Sequence, residues 1–168
     1  MKKALVVMAV AVLAVVFNAC TPQVKTTTDY LTGAKNGWVL SAATSSPAYV
    51  LENGEIVTDL MNGGFLYDYE LDDIIAFTAE GVQTIDPGKN VDPEGHGYQS
   101  VVSYLWHLDQ ANEDWIYMQI PFFYDDVQEY CHILNIDENQ MTLNCTINDD
   151  EPNTKGTYTF NLVYVPAK

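Results

Sequence analysis

Twenty-three carboxylates against seven lysines and no arginine make acid the dominant side-chain chemistry of this 168-residue chain. Two groups of acids are dense enough to consider as ligands: Asp68, Glu70, Asp72 and Asp73, and Asp149, Asp150 and Glu151. Hard oxygen clusters of this kind suit calcium. Neither group has the Asp-x-Asp-x-Asp-Gly spacing of a calcium loop, so solubility and repulsion from an anionic surface account for the acidity more simply. Paired carboxylates could also hydrolyse a glycosidic bond, but that chemistry depends on a fixed separation between two of them. A hydrolase is therefore carried only as the last alternative. The three histidines, His96, His107 and His132, are far apart and lack the spacing of a zinc site. The five serines sit in no nucleophile-elbow pattern, and neither Cys131 nor Cys145 has the surroundings of a thiol protease. The expectation is a protein with no catalytic residues, no metal and no cofactor. Nucleic acid is excluded as a partner, because phosphate binding is driven by the Lys and Arg side chains that are nearly missing here.

The N-terminus has chemistry of a different kind. Lys2 and Lys3 are followed by fourteen apolar residues, Ala4 to Phe17, and then by polar Asn18, Thr21, Pro22 and Gln23. A spanning helix needs roughly 20 apolar residues, so this is the pattern of a cleaved leader rather than an anchor. Phe17-Asn18-Ala19-Cys20 resembles the lipobox of bacterial lipoproteins, in which the cysteine sulfur is acylated and the chain is cut just before it. Residues 1-19 are thus expected to be a signal peptide and Cys20 the lipid-bearing mature N-terminus. Fatty acyl chains on that residue supply about 0.8 kcal/mol of membrane affinity per buried methylene. Residues 20-35 read as a tether and lead-in, and 36-168 as one domain with enough chain to bury a core.

That domain has the period of strands. From Trp38 onward apolar residues recur every second position in short runs separated by Gly, Asp, Asn and Pro. Eight runs stand out: 37-42, 73-79, 81-86, 98-108, 115-121, 127-136, 141-147 and 157-165. In the last, Tyr158, Phe160, Leu162 and Tyr164 share one face, and Thr157, Thr159 and Asn161 the other. Short connections make most neighbours hairpins. Eight such strands close into an antiparallel up-and-down barrel, which leaves no exposed edge. The exception is a long first connection, about 44-72, with a short strand candidate at Tyr49 to Leu51 and the segment "MNGGFLYDYELDD". A connection of that length is expected to form a lid or cap over one barrel end.

Cys131 and Cys145 lie fourteen residues apart in consecutive strands. A hairpin turning symmetrically about Glu138 places them opposite one another, and a disulfide then fits. A turn pairing Ile136 with Met141 puts them on opposite faces and forbids the bond.

Five stretches, "GWVLSAA", "DDIIAFTAEG", "SYLWHL", "YCHILNIDENQMTLNC" and "YTFNLVYV", together resemble the small lipocalin-like lipoproteins of Gram-negative bacteria over roughly residues 30 to 168. The resemblance implies a calycin-type eight-stranded barrel and no catalytic residues. It also implies that Trp38 plugs the closed end of the barrel, although the arginine that usually covers this tryptophan is absent. Some lipoproteins of this kind reach the cell surface through acids just after the cysteine. "TPQVKTTTD" has none before Asp29, so an outer-membrane position facing the periplasm is expected, with the cell surface as the alternative.

Binding is therefore the expected role. The first reading is a small apolar or amphipathic ligand inside the barrel, lined by Trp38, Tyr104, Trp106, Tyr117, Phe160 and Tyr164. The alternative is a filled barrel whose outer surface binds glycan or a protein partner. One candidate surface is "IPFFYDDVQEY", where Phe122, Phe123 and Tyr124 would form an aromatic rim able to stack on sugar rings beside Asp125 and Asp126.

Overall fold

A computed structural model describes residues 23-122, 128-150 and 152-168. The fold is all-β and antiparallel, a single sheet bent into a nearly closed barrel, consistent with the lipocalin-like up-and-down architecture.

The one described helix, α1 (Thr27–Gly33), begins with a capping box. Thr26 Oγ1 accepts from Asp29 N at 3.2 Å, and Thr26 N donates back to the Asp29 carboxylate at 2.8 Å. It carries buried Leu31 onto the barrel end. The segment expected to be tether thus ends as folded structure, seven residues of helix that pattern alone is too short to reveal.

The strands are β1 (Trp38–Val50), β2 (Ile56–Asp59), β3 (Ile74–Phe77), β4 (Val82–Asp86), β5 (Val102–Leu105), β6 (His107–Leu108), β7 (Trp115–Gln119), β8 (Gln128–Ile136), β9 (Met141–Asp149) and β10 (Gly156–Pro166). Their order in the sheet is β5-β4-β3-β1-β10-β9-β8-β7-β6, with β2 paired to β1. β5 and β6 are one run broken at Trp106, so the two ends of the sheet belong to the same piece of chain. Counted that way the barrel has eight staves, one for each expected run, and β2 is the extra segment. Gly37, with φ 82°, has no room for a side chain: a Cβ there would lie 2.6 Å from the Ile75 carbonyl oxygen. That close approach is what lets β1 start against β3, pairing Trp38 with Ile75.

The break at Trp106 leaves Gln119 of β7 without a strand partner on the side away from β8, and a side chain takes the partner's place. Gln83 points inward from β4, its Nε2 donating to the Gln119 carbonyl at 2.8 Å and its Oε1 accepting from Gln119 N at 2.9 Å. Both glutamines are completely buried, so these bonds satisfy main-chain groups that water cannot reach. Trp106 is fixed at the break by its own N–H to Gly81 O and by its indole N–H to Thr78 O.

The first connection is shorter than the sequence suggested. β1 does not stop near residue 42 but runs to Val50. The Tyr49 to Leu51 strand candidate is its far end, and β2 folds back on it. Residues 60-73 then act as a cap. Leu60 and Leu66 are buried, and the Phe65 ring meets Tyr49 at 4.7 Å, Phe160 at 5.6 Å and Phe122 at 6.0 Å. Edge-on aromatic packing of this sort closes one barrel mouth. The other end is closed by α1, with the Trp38 indole N–H donating to Leu31 O at 3.1 Å.

The β8–β9 hairpin resolves the cysteine question in a way that neither turn alone allows. Ile136 pairs with Met141 and Asn135 with Thr142, which is the turn expected to forbid the disulfide. Leu134 then bulges out as one extra residue. From Ile133 opposite Leu143 onward the register matches that of a symmetric turn. Cys131 faces Cys145 at a Cα separation of 4.4 Å and the two are joined by a disulfide inside the core.

Candidate functional site

Trp38, Phe160 and Tyr164 point into the barrel and are almost completely buried, with Ile75, Ile85, Met118, Leu143 and Leu162 packed among them. Trp106 is buried against Phe77, their rings 5.3 Å apart, and Tyr104 is half-buried with its hydroxyl 3.5 Å from that of Tyr98. These five of the six residues expected to line a ligand pocket instead pack with the barrel's own side chains. The sixth, Tyr117, lies on the other face of β7, where it contacts His107 and Tyr130. Alternation puts it there, since its neighbours Ile116 and Met118 take the inward positions. Phe122 does not form an exposed rim. It is buried under the cap against Phe65 and Phe160. Phe123 and Tyr124, like Cys20, lie outside the described residues.

Besides the Gln83–Gln119 pair, the interior holds a polar region around Asp73 at the junction of the cap and β3. Burial first, and then the charges of Glu70, Asp72 and Asp86, push the Asp73 carboxyl up to about 8, so it holds a proton at neutral pH. Tyr98 and Tyr164 are raised chiefly by burial, and each senses Asp73. The Tyr164 hydroxyl has no hydrogen-bond partner among the described residues. The neighbouring acids are occupied with the main chain: Glu70 accepts from Tyr67 N at 2.6 Å, and Asp72 from Lys89 N and Asn90 N at 2.9 and 3.2 Å. In the second acidic group Asp149 accepts from the hydroxyls of Tyr49 and Thr154. Among the described residues no set of three or more His, Cys, Asp or Glu is placed to hold a metal ion.

The outer face of β6, β7 and β8 is the unusual surface. Cross-strand register sets His107 beside Tyr117 and Tyr117 beside Tyr130, with ring centroids 5.1 and 5.0 Å apart. His107 Nε2 lies 3.3 Å from the Tyr130 hydroxyl. In the next row Trp115 stacks on His132 at 4.9 Å, their planes 18° apart. Trp115 keeps 38% of its surface exposed, Tyr130 44%, Leu134 on the bulge 51% and Leu105 70%. Cross-strand aromatic pairs stabilise a sheet, but large apolar side chains gathered on the wet face of a barrel usually mark a contact surface. The sequence carries the signal: Trp115, Tyr117, Tyr130, His132 and Leu134 occupy the positions that alternation reserves for polar residues. His107 and His132, far apart in the chain, come to this one face.

A second cleft, about 380 Å³, lies between α1 and the barrel end, lined by Lys25, Tyr30, Trp38 and Glu138 among others. Two of its charges pair with each other, Lys25 bonding Glu138 and lying 5.4 Å from the Tyr30 ring centroid, and Lys35 lines it as well.

Comparison of the chain with protein-family models, with curated proteins and with solved structures finds no match. Function is therefore argued from the site itself.

Proposed function

We propose that this chain is a non-enzymatic binding domain of the cell envelope, a lipocalin-like lipoprotein held to the membrane by acyl chains on Cys20, which engages its partner on the outer aromatic face of β6, β7 and β8. The observation that carries this reading is the exchange of roles between the two sides of the sheet. The interior, where a carrier would keep a ligand, is occupied by Trp38, Phe160, Leu162 and Tyr164 at no more than 1% exposure. Outside, Trp115 and Tyr130 are left in water within two cross-strand rows, apart from the exposed Tyr67 on the cap. The leader and the Cys20 tetrapeptide support the anchoring, and an anchored barrel needs only one free flank to meet a partner.

The three tryptophans make the test direct, because Trp38 and Trp106 are buried and Trp115 is exposed. Acrylamide quenching of the folded protein therefore reads Trp115. A partner bound to the outer face shields it and leaves the buried pair unchanged. Fatty acids, bile acids and haem-like compounds should leave the thermal midpoint where it is. A ligand held in the barrel at 100 times its dissociation constant would add about 2.7 kcal/mol, which for a domain of this size raises the midpoint by roughly 5 to 10 °C. A rise of that size, with Trp115 still fully quenched, would overturn the proposal.

A further inference from the structure

Trp115 stands where the aromatic face meets the turn between β6 and β7, and there it lines an open cleft of about 470 Å³ with Tyr130, Asp109 and Asn112. Each of the four is already held in place. His132 stacks on the indole, and the Tyr130 hydroxyl lies against His107. Asp109 Oδ1 accepts from Ala111 N at 2.8 Å and from Asn112 N at 3.0 Å, and Asn112 Oδ1 accepts from Asp114 N at 3.1 Å. Those turn bonds use one oxygen of each side chain. They leave Asp109 Oδ2, an acceptor, and the Asn112 amide nitrogen, a donor, without a partner among the described residues.

A flat ring beside a fixed acceptor and a fixed donor fits a particular chemistry. The C–H face of a pyranose packs on an indole, and its neighbouring equatorial hydroxyls, each both donor and acceptor, can satisfy a carboxylate oxygen and an amide together. Because these groups are held by the turn before any ligand arrives, little ordering cost remains. Charge narrows the class further. Asp109, Glu113 and Asp114 all sit in this one turn, no lysine among the described residues lines the cleft, and the whole chain carries a formal net charge of −16. Uronic-acid and sulfated chains would be repelled. We infer that this cleft is a subsite for a neutral, hydroxyl-rich pyranose chain. The inference rests on the outer-face reading and adds the class of partner.

The net charge also supplies the assay, since the protein runs fast towards the anode in a native gel and an immobile neutral polysaccharide in the gel retards only what binds it. Full-length protein is run through neutral β-glucan, α-glucan, mannan, arabinoxylan and galactan, with polygalacturonate as the anionic comparison. At least one neutral polymer should retard the wild type and polygalacturonate should not. Trp115→Ala, a substitution at a partly exposed position, should weaken that retention at least tenfold while near-ultraviolet circular dichroism stays native. Asp109→Asn, which keeps the turn bonds and removes the charge, should weaken it several-fold. Retention by none of the neutral polymers overturns the sugar assignment. If in that case a purified protein partner shields Trp115 from acrylamide, the outer-face reading stands without it. Retention that survives Trp115→Ala places the sugar elsewhere and overturns both.

Discussion

Replacing Asp73 by asparagine should flatten the loss of stability that the wild-type chain suffers between pH 5 and 8. Burial and the charges of Glu70, Asp72 and Asp86 raise the folded carboxyl from the usual 3.8 to about 8. The unfolded chain gives up this proton near pH 4, whereas the folded chain keeps it until about pH 8. The sign follows: stability from this group is complete below about pH 4 and is lost progressively as pH rises through 8. At ~1.36 kcal/mol per pH unit the three units from pH 5 to 8 amount to roughly 4 kcal/mol, and relaxation around a charged Asp73 would reduce the measured figure to about half. Asparagine has the same shape and no proton to lose, so the stability difference between variant and wild type should grow by about 2 to 4 kcal/mol across that interval. Urea unfolding at pH 5, 6, 7 and 8 reads this as a widening gap in midpoint, about 1 to 2 M at an m value near 2 kcal/mol/M. The other acids titrate in both proteins and cancel in the comparison. Parallel profiles would refute the reasoning, because they would mean that Asp73 is already ionised and solvated and that the cap does not seal the barrel mouth.

Two further outcomes follow from the way the barrel is closed. Reducing the Cys131–Cys145 bond, or replacing both residues by alanine, frees a loop with a sequence separation of 14. That should lower stability by about 3 kcal/mol, seen as a fall in the thermal midpoint of roughly 6 to 12 °C. Two free thiols titrated in the denatured, unreduced protein would show that the bond is absent. Gln83→Leu keeps the volume but strands the N–H and C=O of Gln119 inside the barrel, each costing about 1 to 3 kcal/mol. Chemical denaturation should show a loss of about 2 to 6 kcal/mol, and hydrogen exchange should lose protection at residue 119 before the rest of β7. A near-neutral variant would mean that water reaches the gap left at Trp106.

Strand number and direction were legible because a strand's side chains alternate with period two, and each of the eight runs marked by that alternation became a stave. The inward set on β10, Tyr158, Phe160, Leu162 and Tyr164, was readable for the same reason. What alternation cannot carry is a single-residue irregularity. The bulge at Leu134 restored the cysteine register that the Ile136–Met141 turn would have destroyed, and only the pairing of two strands reveals it. Distance in the chain hid the rest. Gln83 and Gln119 are 36 residues apart, and nothing local to either marks the glutamine that replaces a missing strand. The break at Trp106, the cap seated on Phe160 and the aromatic rows on β6 to β8 are likewise contacts between segments remote in sequence. The sequence by itself determined the number of staves and their antiparallel order. The tertiary structure decided which large side chains pack into the barrel and which aromatics remain outside, because a large side chain's fate depends on what stands across the barrel from it, and that neighbour is set by closure of the whole sheet.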